Sequence, residues 1–170
     1  TVGATLPAQI GVTILDQNGD GMAGIAVTFS VTAGGGSIGT VLVTSNAQGV
    51  ATTSWTLGTI AGTNNNTATV SISAYGGLLS AFSASASAGA VSQLVIQTQP
   101  SAAAQSGVAF AVQPVVRLAD AFGNLVATNG TVVTAAIATG TGTLGGTPTA
   151  STVSGVATFA GLSIAGVSGV

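Results

Sequence analysis

Residues 25–32, Ile-Ala-Val-Thr-Phe-Ser-Val-Thr, decide the fold class of this chain. Their large apolar side chains occur at every second position, and small or hydroxyl side chains lie between them. Successive side chains of a β-strand point to opposite faces, so a period of two predicts a strand with one buried face. An amphipathic helix would instead repeat its apolar residues every three to four positions.

The same alternation continues on both sides of this segment. It is found in residues 10–15, 53–57, 70–75 and 82–87, and helical spacing is absent. The first half of the chain should therefore form a β-sandwich whose core contains the inward-facing residues Val12, Ile14, Ile25, Val27, Phe29, Val31, Trp55, Leu57, Val70 and Ile72.

Turn-forming residues separate the alternating segments. Glycine and asparagine supply the backbone conformations of tight turns, and short strands between regular turns are typical of an all-β sandwich. Turns are predicted at Asn18-Gly19, 33–36, 64–66, Gly76-Gly77, Gly123-Asn124 and Gly145-Gly146.

An internal repeat organises the chain. Asp16-Gln17-Asn18-Gly19-Asp20 recurs as Asp120-Ala121-Phe122-Gly123-Asn124, an offset of 104 residues (from 16 to 120). Gly-Val-Ala-Thr at 49–52 recurs at 155–158, and Ile-Ala-Gly at 60–62 recurs at 164–166. This period is close to the roughly 100 residues of one β-sandwich domain. We expect two domains, at residues 1–89 and 90–170, with a large aromatic side chain in each core: Trp55 and its nearest match, Phe159.

The two copies differ at their ends. The first copy has no counterpart for residues 90–104, and the second has none for residues 63–88. Two explanations stay open. The chain belongs to a longer repeat array, or it is a subunit that takes strands from a neighbour by strand addition, which in a head-to-tail contact that does not close makes a filament.

A family resemblance follows from the order of these segments. The turn at 16–24, the strand and glycine run at 25–37 and the Gln-Gly-Val-Ala-Thr strand at 48–58 resemble the bacterial immunoglobulin-like domains of the invasin/intimin type. The resemblance covers nearly all of residues 1–88 and, more loosely, 93–166. It implies two tandem immunoglobulin-like sandwiches, the first without its opening strand and the second without its closing strands. It also implies a spacer role in bacterial surface or secreted proteins.

Charged residues are only 2% of the chain: Asp16, Asp20, Arg117 and Asp120. Ordinary domains carry about 25%. Binding to nucleic acid requires several basic side chains to neutralise phosphates, so no nucleic-acid partner is expected. The chain also has no Lys, Cys or His to act as base, nucleophile or metal ligand. We therefore expect no enzymatic activity, no catalytic residue and no cofactor.

Asp16, Asn18 and Asp20 match the first half of a calcium-binding loop. A complete loop needs a bidentate Glu at its twelfth position, which is Val27 here, and the second copy has Phe122 and Asn124 where ligands would lie. A turn in which Asp16 accepts hydrogen bonds from its own backbone is the favoured interpretation, and a weak calcium site is the alternative. Arg117 is expected to be solvated or to pair with Asp120.

No stretch of 18 apolar residues occurs, so no membrane span is expected. Residues 1–10 lack the basic segment and long apolar run of a signal peptide. The sequence favours a structural repeat module of an extracellular or cell-surface rod or filament, with neighbouring copies or adjacent repeats as partners. The alternative is an adhesin module for a host receptor or glycan. The aromatic candidates for such a surface, Tyr75 and Phe122, are both expected to be packed.

Overall fold

The chain is all-β, as predicted. The computed structural model describes residues 1–75 and 77–166, without the side chains of residues 75–79. Within these ranges it has antiparallel sheets, one 3-10 turn at Ser73–Tyr75 and no α-helix. The chain divides into two compact units, Thr1–Ala88 (unit 1) and Gly89–Val170 (unit 2). The sequence places this boundary one residue later.

Unit 1 contains eight strands in its described part. They are β1 (Ile10–Thr13), β2 (Ala26–Ala33), β3 (Gly36–Ile38), β4 (Leu42–Thr44), β5 (Val50–Thr53), β6 (Trp55–Leu57), β7 (Gly62–Ile72) and β8 (Gly77–Ala86). A four-stranded sheet has the order β4-β2-β7-β8, while β1 pairs with β5 and β3 pairs with β6. Because β5 and β6 are separated by a single residue, their two ladders continue one another along the chain.

The core of unit 1 lies between these ladders and the four-stranded sheet. Seven of the predicted core residues are buried: Ile14, Val27, Phe29, Trp55, Leu57, Val70 and Ile72. The other three, Val12, Ile25 and Val31, are partly buried and pack against this core. The core also contains Val2, Ile10, Ala51, Ala68 and Ala86. Strand alternation thus identified the inner faces of both layers.

Unit 2 contains seven strands in its described part. They are β9 (Gln93–Thr98), β10 (Val115–Ala119), β11 (Val132–Thr134), β12 (Thr143–Gly145), β13 (Thr149–Ser151), β14 (Val156–Thr158) and β15 (Ser163–Ala165). The sheets have the orders β14-β10-β9, β11-β13 and β12-β15. Its core cluster is small, with Val133, Ala157, Phe159 and Leu162 as the buried members.

The two units contain matching hydrogen bonds. Ile14 N–H donates to the Gly49 carbonyl, and Leu118 N–H donates to that of Gly155, each at 2.8 Å. Val12 lies opposite Ala51 in β1–β5, just as Val116 lies opposite Ala157 in β10–β14. β1 and β10 are therefore equivalent strands in equivalent register, at the offset of 104 residues.

The equivalent strands β1 and β10 differ in the number of strands that pair with them. In unit 2, β10 lies between β14 and β9. In unit 1, β1 pairs with β5 alone among the strands of the described residues. Conversely, the described part of unit 2 has no counterpart of β7 and β8.

Two sequence predictions need correction. The predicted turn at Asn64–Asn66 lies inside β7, where the pairing with β8 shifts register between Gly62 and Asn66. A polar, turn-forming triplet is here accommodated as an irregularity in a long strand. The predicted turn at Gly76-Gly77 lies partly outside the described residues.

The match of Trp55 with Phe159 is also wrong in register. Phe159 is buried, and its N–H donates to the Pro114 carbonyl. Pro114 corresponds to Ile10 at the offset of 104 residues, and Ile10 lies opposite Thr53. Phe159 therefore corresponds to Thr53. Trp55 corresponds to Leu162 instead: Leu6 N–H donates to the Trp55 carbonyl, and Phe110 N–H donates to that of Leu162. A shift of two to three residues between the copies separates the two aromatic positions.

Candidate functional site

The three candidate calcium ligands lie together in one exposed turn. Asp16 Oδ1 accepts hydrogen bonds from the N–H groups of Asn18 and Asp20, at 2.8 and 2.9 Å. The Asn18 side chain also donates to Asp16 Oδ2 at 3.4 Å. The hydrogen bond from Asp20 N–H, followed by that from Asn18 N–H, lowers the pKa of the Asp16 carboxyl. The carboxylate thus closes its own turn, in the manner of an Asx turn.

In the matching turn of unit 2, the aspartate is buried. Asp120 is 1% exposed. Its Oδ1 accepts from the N–H groups of Phe122 and Asn124, and its Oδ2 accepts from Gly89 N–H and the Asn124 side chain, all at 2.9 Å. Burial raises the pKa of Asp120, but these four hydrogen bonds outweigh it and lower the pKa to about 2.

The segment that opens unit 2 explains why Asp120 is buried and Asp16 is not. Gly89 N–H bonds to the Asp120 carboxylate, and the Gln93 side chain donates to the Asp120 carbonyl at 2.6 Å. Residues 90–104 have no counterpart in the first copy, so the turn at Asp16 lacks this cover. The carboxylate of Asp120 therefore anchors the start of unit 2, which sequence analysis did not anticipate.

Arg117 does not have the role expected for it. Its Nη1 atom donates to the carbonyl of Gly123 at 3.0 Å, and the side chain is partly buried. The guanidinium thus stabilises the turn that follows Asp120 through a backbone carbonyl, whereas the carboxylate is bound by N–H groups and Asn124. The predicted pairing of Arg117 with Asp120 is therefore wrong, because uncharged donors bind the Asp120 carboxylate.

We expect Asp120→Asn to destabilise unit 2. The asparagine amide has one oxygen and one NH₂ group, and the NH₂ group cannot accept a hydrogen bond. In one orientation it would face Gly89 N–H and the Asn124 side chain, and in the other the two N–H groups of the turn. Either orientation leaves buried donors without an acceptor. The matched control is Asp16→Asn, because Asp16 is exposed and its Oδ2 has only the 3.4 Å contact. Thermal unfolding should show a clearly lower midpoint for Asp120→Asn than for Asp16→Asn; equal midpoints would contradict the anchoring role.

The same contact predicts a pH dependence. Since the folded-state pKa of Asp120 lies below its ordinary value of 3.8, the ionised carboxylate stabilises unit 2 fully above about pH 4, and this stabilisation is lost as the pH falls through about 2. The difference in thermal midpoint between the native chain and Asp120→Asn should therefore shrink between these values. A difference that stays constant would show that the carboxylate charge is not involved.

Calcium should bind weakly at the first turn. The loop position that would carry the bidentate Glu is Val27, which is buried in the core of unit 1. Within the described residues, no cluster of three acidic, histidine or cysteine side chains could hold a metal ion. Calorimetric titration should give a Kd no tighter than about 10⁻⁴ M. A micromolar site that is abolished by Asp16→Asn would overturn this prediction.

Two buried hydroxyl groups form a second repeated feature, which sequence analysis missed. Ser45 Oγ accepts from Ile25 N–H and donates to the Met22 carbonyl, at 3.0 and 2.7 Å. Thr152 Oγ1 makes the equivalent bonds to Thr131 and Thr128, at 3.0 and 2.7 Å. Each hydroxyl thus links the start of a strand to the turn before it, and its role is structural. Aligning the copies with their offset increased to 107 would have revealed the pair.

A cavity of about 370 Å³ lies in unit 2, lined by Ser101, Ala102, Ala104, Ser106, Phe110, Ile164 and Gly166. None of these side chains is ionisable. The hydroxyl group of Ser106 donates to the Gly166 carbonyl and accepts from Gly166 N–H. The lining therefore mixes serine hydroxyls with apolar side chains and offers no general base for a serine nucleophile.

Phe122 is 58% exposed at the tip of the Asp120 turn, so the expectation that it is packed is wrong. Its backbone N–H donates to Asp120 Oδ1 at 2.9 Å. The side chain of Tyr75 lies outside the described part of the chain.

In the described residues, no helix is long and apolar enough to cross a membrane. Comparisons with models of protein families, with curated proteins and with solved structures gave no match to this chain.

Proposed function

We propose that this chain is a structural repeat module of an extracellular bacterial surface rod or filament, built from two tandem immunoglobulin-like domains. The observation that carries this proposal is the hydrogen-bond network shared by the two units. Asp16 and Asp120 close the same turn, and Ser45 and Thr152 make the same pair of bonds. Duplicated structural bonds with no duplicated reactive group are typical of a scaffold.

The polar groups support a structural role in preference to catalysis. The four charged residues are Asp16, Asp20, Arg117 and Asp120, and the carboxylates of Asp16 and Asp120 accept hydrogen bonds within their own turns. The chain also has no His, Lys or Cys. The residue types that most often act as nucleophile or general base near neutral pH are thereby missing, and we propose that the protein is not an enzyme.

The nearly uncharged surface supports self-association. Soluble proteins commonly protect sheet edges with lysine or other charges. Here β1 has a side that pairs with no strand among the described residues, and its four residues carry no charge. Neighbouring copies or adjacent repeats are therefore the proposed partners, at the cell surface or outside the cell.

Electron microscopy of the native material at physiological salt tests this proposal. We expect rods or fibres, and antibodies against the chain should label the surface of intact cells. Dispersed globular particles together with labelling confined to the cell interior would refute it.

A binding role is the second candidate, because Phe122 is an exposed aromatic side chain on a rigid turn. Exposed aromatic rings are common anchors in recognition surfaces. If the protein is an adhesin, Phe122→Ala should abolish binding to host cells and leave assembly unchanged. If it is only a scaffold, the variant should behave as the native chain in both assays.

A further inference from the structure

Two asparagines of this chain are followed directly by a glycine: Asn18 precedes Gly19, and Asn129 precedes Gly130. The backbone nitrogen after an asparagine can attack the carbonyl carbon of its side chain, and glycine hinders this attack least because it has no Cβ atom. Both pairs are exposed and lie outside the named strands. The hydrogen bonds that hold the reacting groups differ between the two pairs.

Asn129 and Gly130 are held by residues from a distant part of the chain. Asn129 Oδ1 accepts a hydrogen bond from Ser154 N–H at 2.6 Å, and Gly130 N–H donates to the Thr152 carbonyl at 2.8 Å. Thr152 is only 1% exposed, so the second bond is anchored in the fold. The carbonyl group that would be attacked and the nitrogen that would attack it are therefore fixed separately.

Asn18 and Gly19 are held only within their own turn. Among the described residues, the Asn18 side chain makes one hydrogen bond, from Nδ2 to Asp16 Oδ2 at 3.4 Å, which is longer than an ordinary N–H···O bond. Gly19 N–H donates to the Asp16 carbonyl at 3.1 Å, and no atom lies within 4 Å of the Gly19 Cβ position. Opening of this one exposed turn therefore frees both reacting groups.

From this difference we propose that Asn18 is a site of spontaneous deamidation by water in the folded protein, and that the fold protects Asn129. The Gly19 nitrogen bonds to Asn18 Cγ, the Cγ–Nδ2 bond breaks, and ammonia leaves with the proton of the Gly19 nitrogen. Water then opens the five-membered succinimide ring to aspartate or to isoaspartate, in which the main chain runs through Cγ. The net reaction consumes water and releases ammonia, without oxidation or reduction, and it does not depend on the proposed structural function.

The modification would change the charge and the backbone of the turn. Asp16 and Asp20 already carry carboxylates there, and unit 1 contains no Lys, Arg or His to pair with a third. Asp16 Oδ1 accepts from the N–H groups of Asn18 and Asp20, and isoaspartate would insert one backbone atom between these two donors. Both products should therefore weaken the hydrogen bonds that close the turn, the first through repulsion between like charges.

Isotope labelling of the complete chain tests the proposal. The folded protein is incubated in H₂¹⁸O at mildly alkaline pH, and mass spectrometry of proteolytic peptides locates the ¹⁸O that enters on ring opening. We expect Asn18 to react at least about tenfold faster than Asn129, because the reactive conformation of Asn129 requires the loss of two hydrogen bonds to the fold. In urea the two sites should react at similar rates, since both precede glycine. Equal rates in the folded protein, unequal rates in urea, or an Asn18 that reacts only in urea would overturn the proposal.

The variant Asn18→Gln tests the ring mechanism. Glutamine retains the backbone N–H that bonds to Asp16, but its additional methylene group adds a rotor that ring closure must fix. Labelling at this position should therefore fall at least about tenfold. The matched control is Asn129→Gln, which should leave the labelling of Asn18 unchanged. Undiminished labelling at position 18 of Asn18→Gln would show direct hydrolysis of the side-chain amide and would refute the attack by the Gly19 nitrogen.

Discussion

Replacing Trp55 with alanine should lower the free energy of unfolding of unit 1 by about 3–5 kcal/mol. Trp55 is completely buried in β6 and is the largest side chain in the core. Its removal leaves a cavity between two sheets whose backbones are fixed by their ladders, so the surrounding residues can relax only in part. Urea denaturation followed by circular dichroism measures the loss, and a value below about 1 kcal/mol would show that Trp55 is not a core residue.

Trp55→Phe is the matched control. Among the described residues, the buried indole Nε1–H of Trp55 has no hydrogen-bond partner, and an unsatisfied buried donor is itself destabilising. Phenylalanine removes this donor and retains most of the apolar contact. The Phe variant should therefore lose much less stability than the Ala variant; equal losses would mean that the volume of the side chain is not what matters.

Gly58→Ala should destabilise unit 1 by about 3 kcal/mol or more, because it forces backbone atoms apart. A Cβ atom on Gly58 would lie 1.8 Å from the carbonyl oxygen of Gly34. Gly58 N–H also donates to Asn66 Oδ1 at 2.9 Å, and Asn66 is fully buried. No side-chain rotation relieves this overlap, and moving Gly58 away from Gly34 would strain its bond to Asn66.

The control for this prediction is Gly19→Ala. Gly19 has a φ of +89° in the Asp16 turn, and no atom lies within 4 Å of its Cβ position. Alanine there should lower the free energy of unfolding by only about 1–2 kcal/mol, because a residue with a Cβ atom is strained in the left-handed backbone conformation. Both variants are compared by urea denaturation. If Gly58→Ala is no more destabilising than Gly19→Ala, the close approach to Gly34 has no energetic role.

Local patterns in the sequence predicted the strands and their inner faces well. Val27, Phe29, Val70 and Ile72 are buried as expected, because side-chain direction alternates along any strand regardless of its neighbours. The turns at Asp16 and Asp120 were also predictable, since an aspartate accepts from the backbone two residues further on.

Predictions that depended on distant residues were less successful. Asn64–Asn66 was expected to be a turn, but Asn66 is fixed within β7 by Gly58, eight residues earlier in the chain. Phe122 was expected to be packed, yet it is 58% exposed. Which elements lie against a side chain is a property of long-range pairing, and composition does not contain it.

The sequence by itself determined the all-β class, the alternating faces and the repeated turn, since each depends on residues close together in the chain. Only the tertiary structure decided how two nearly identical turns differ. Asp16 remains exposed, whereas Asp120 is buried. Burial raises the pKa of Asp120, but hydrogen bonds from the Asn124 side chain, Gly89 N–H and the turn N–H groups lower it to about 2. Burial depends on which strands pack from elsewhere in the fold, and the alternation of a single strand carries no information about that.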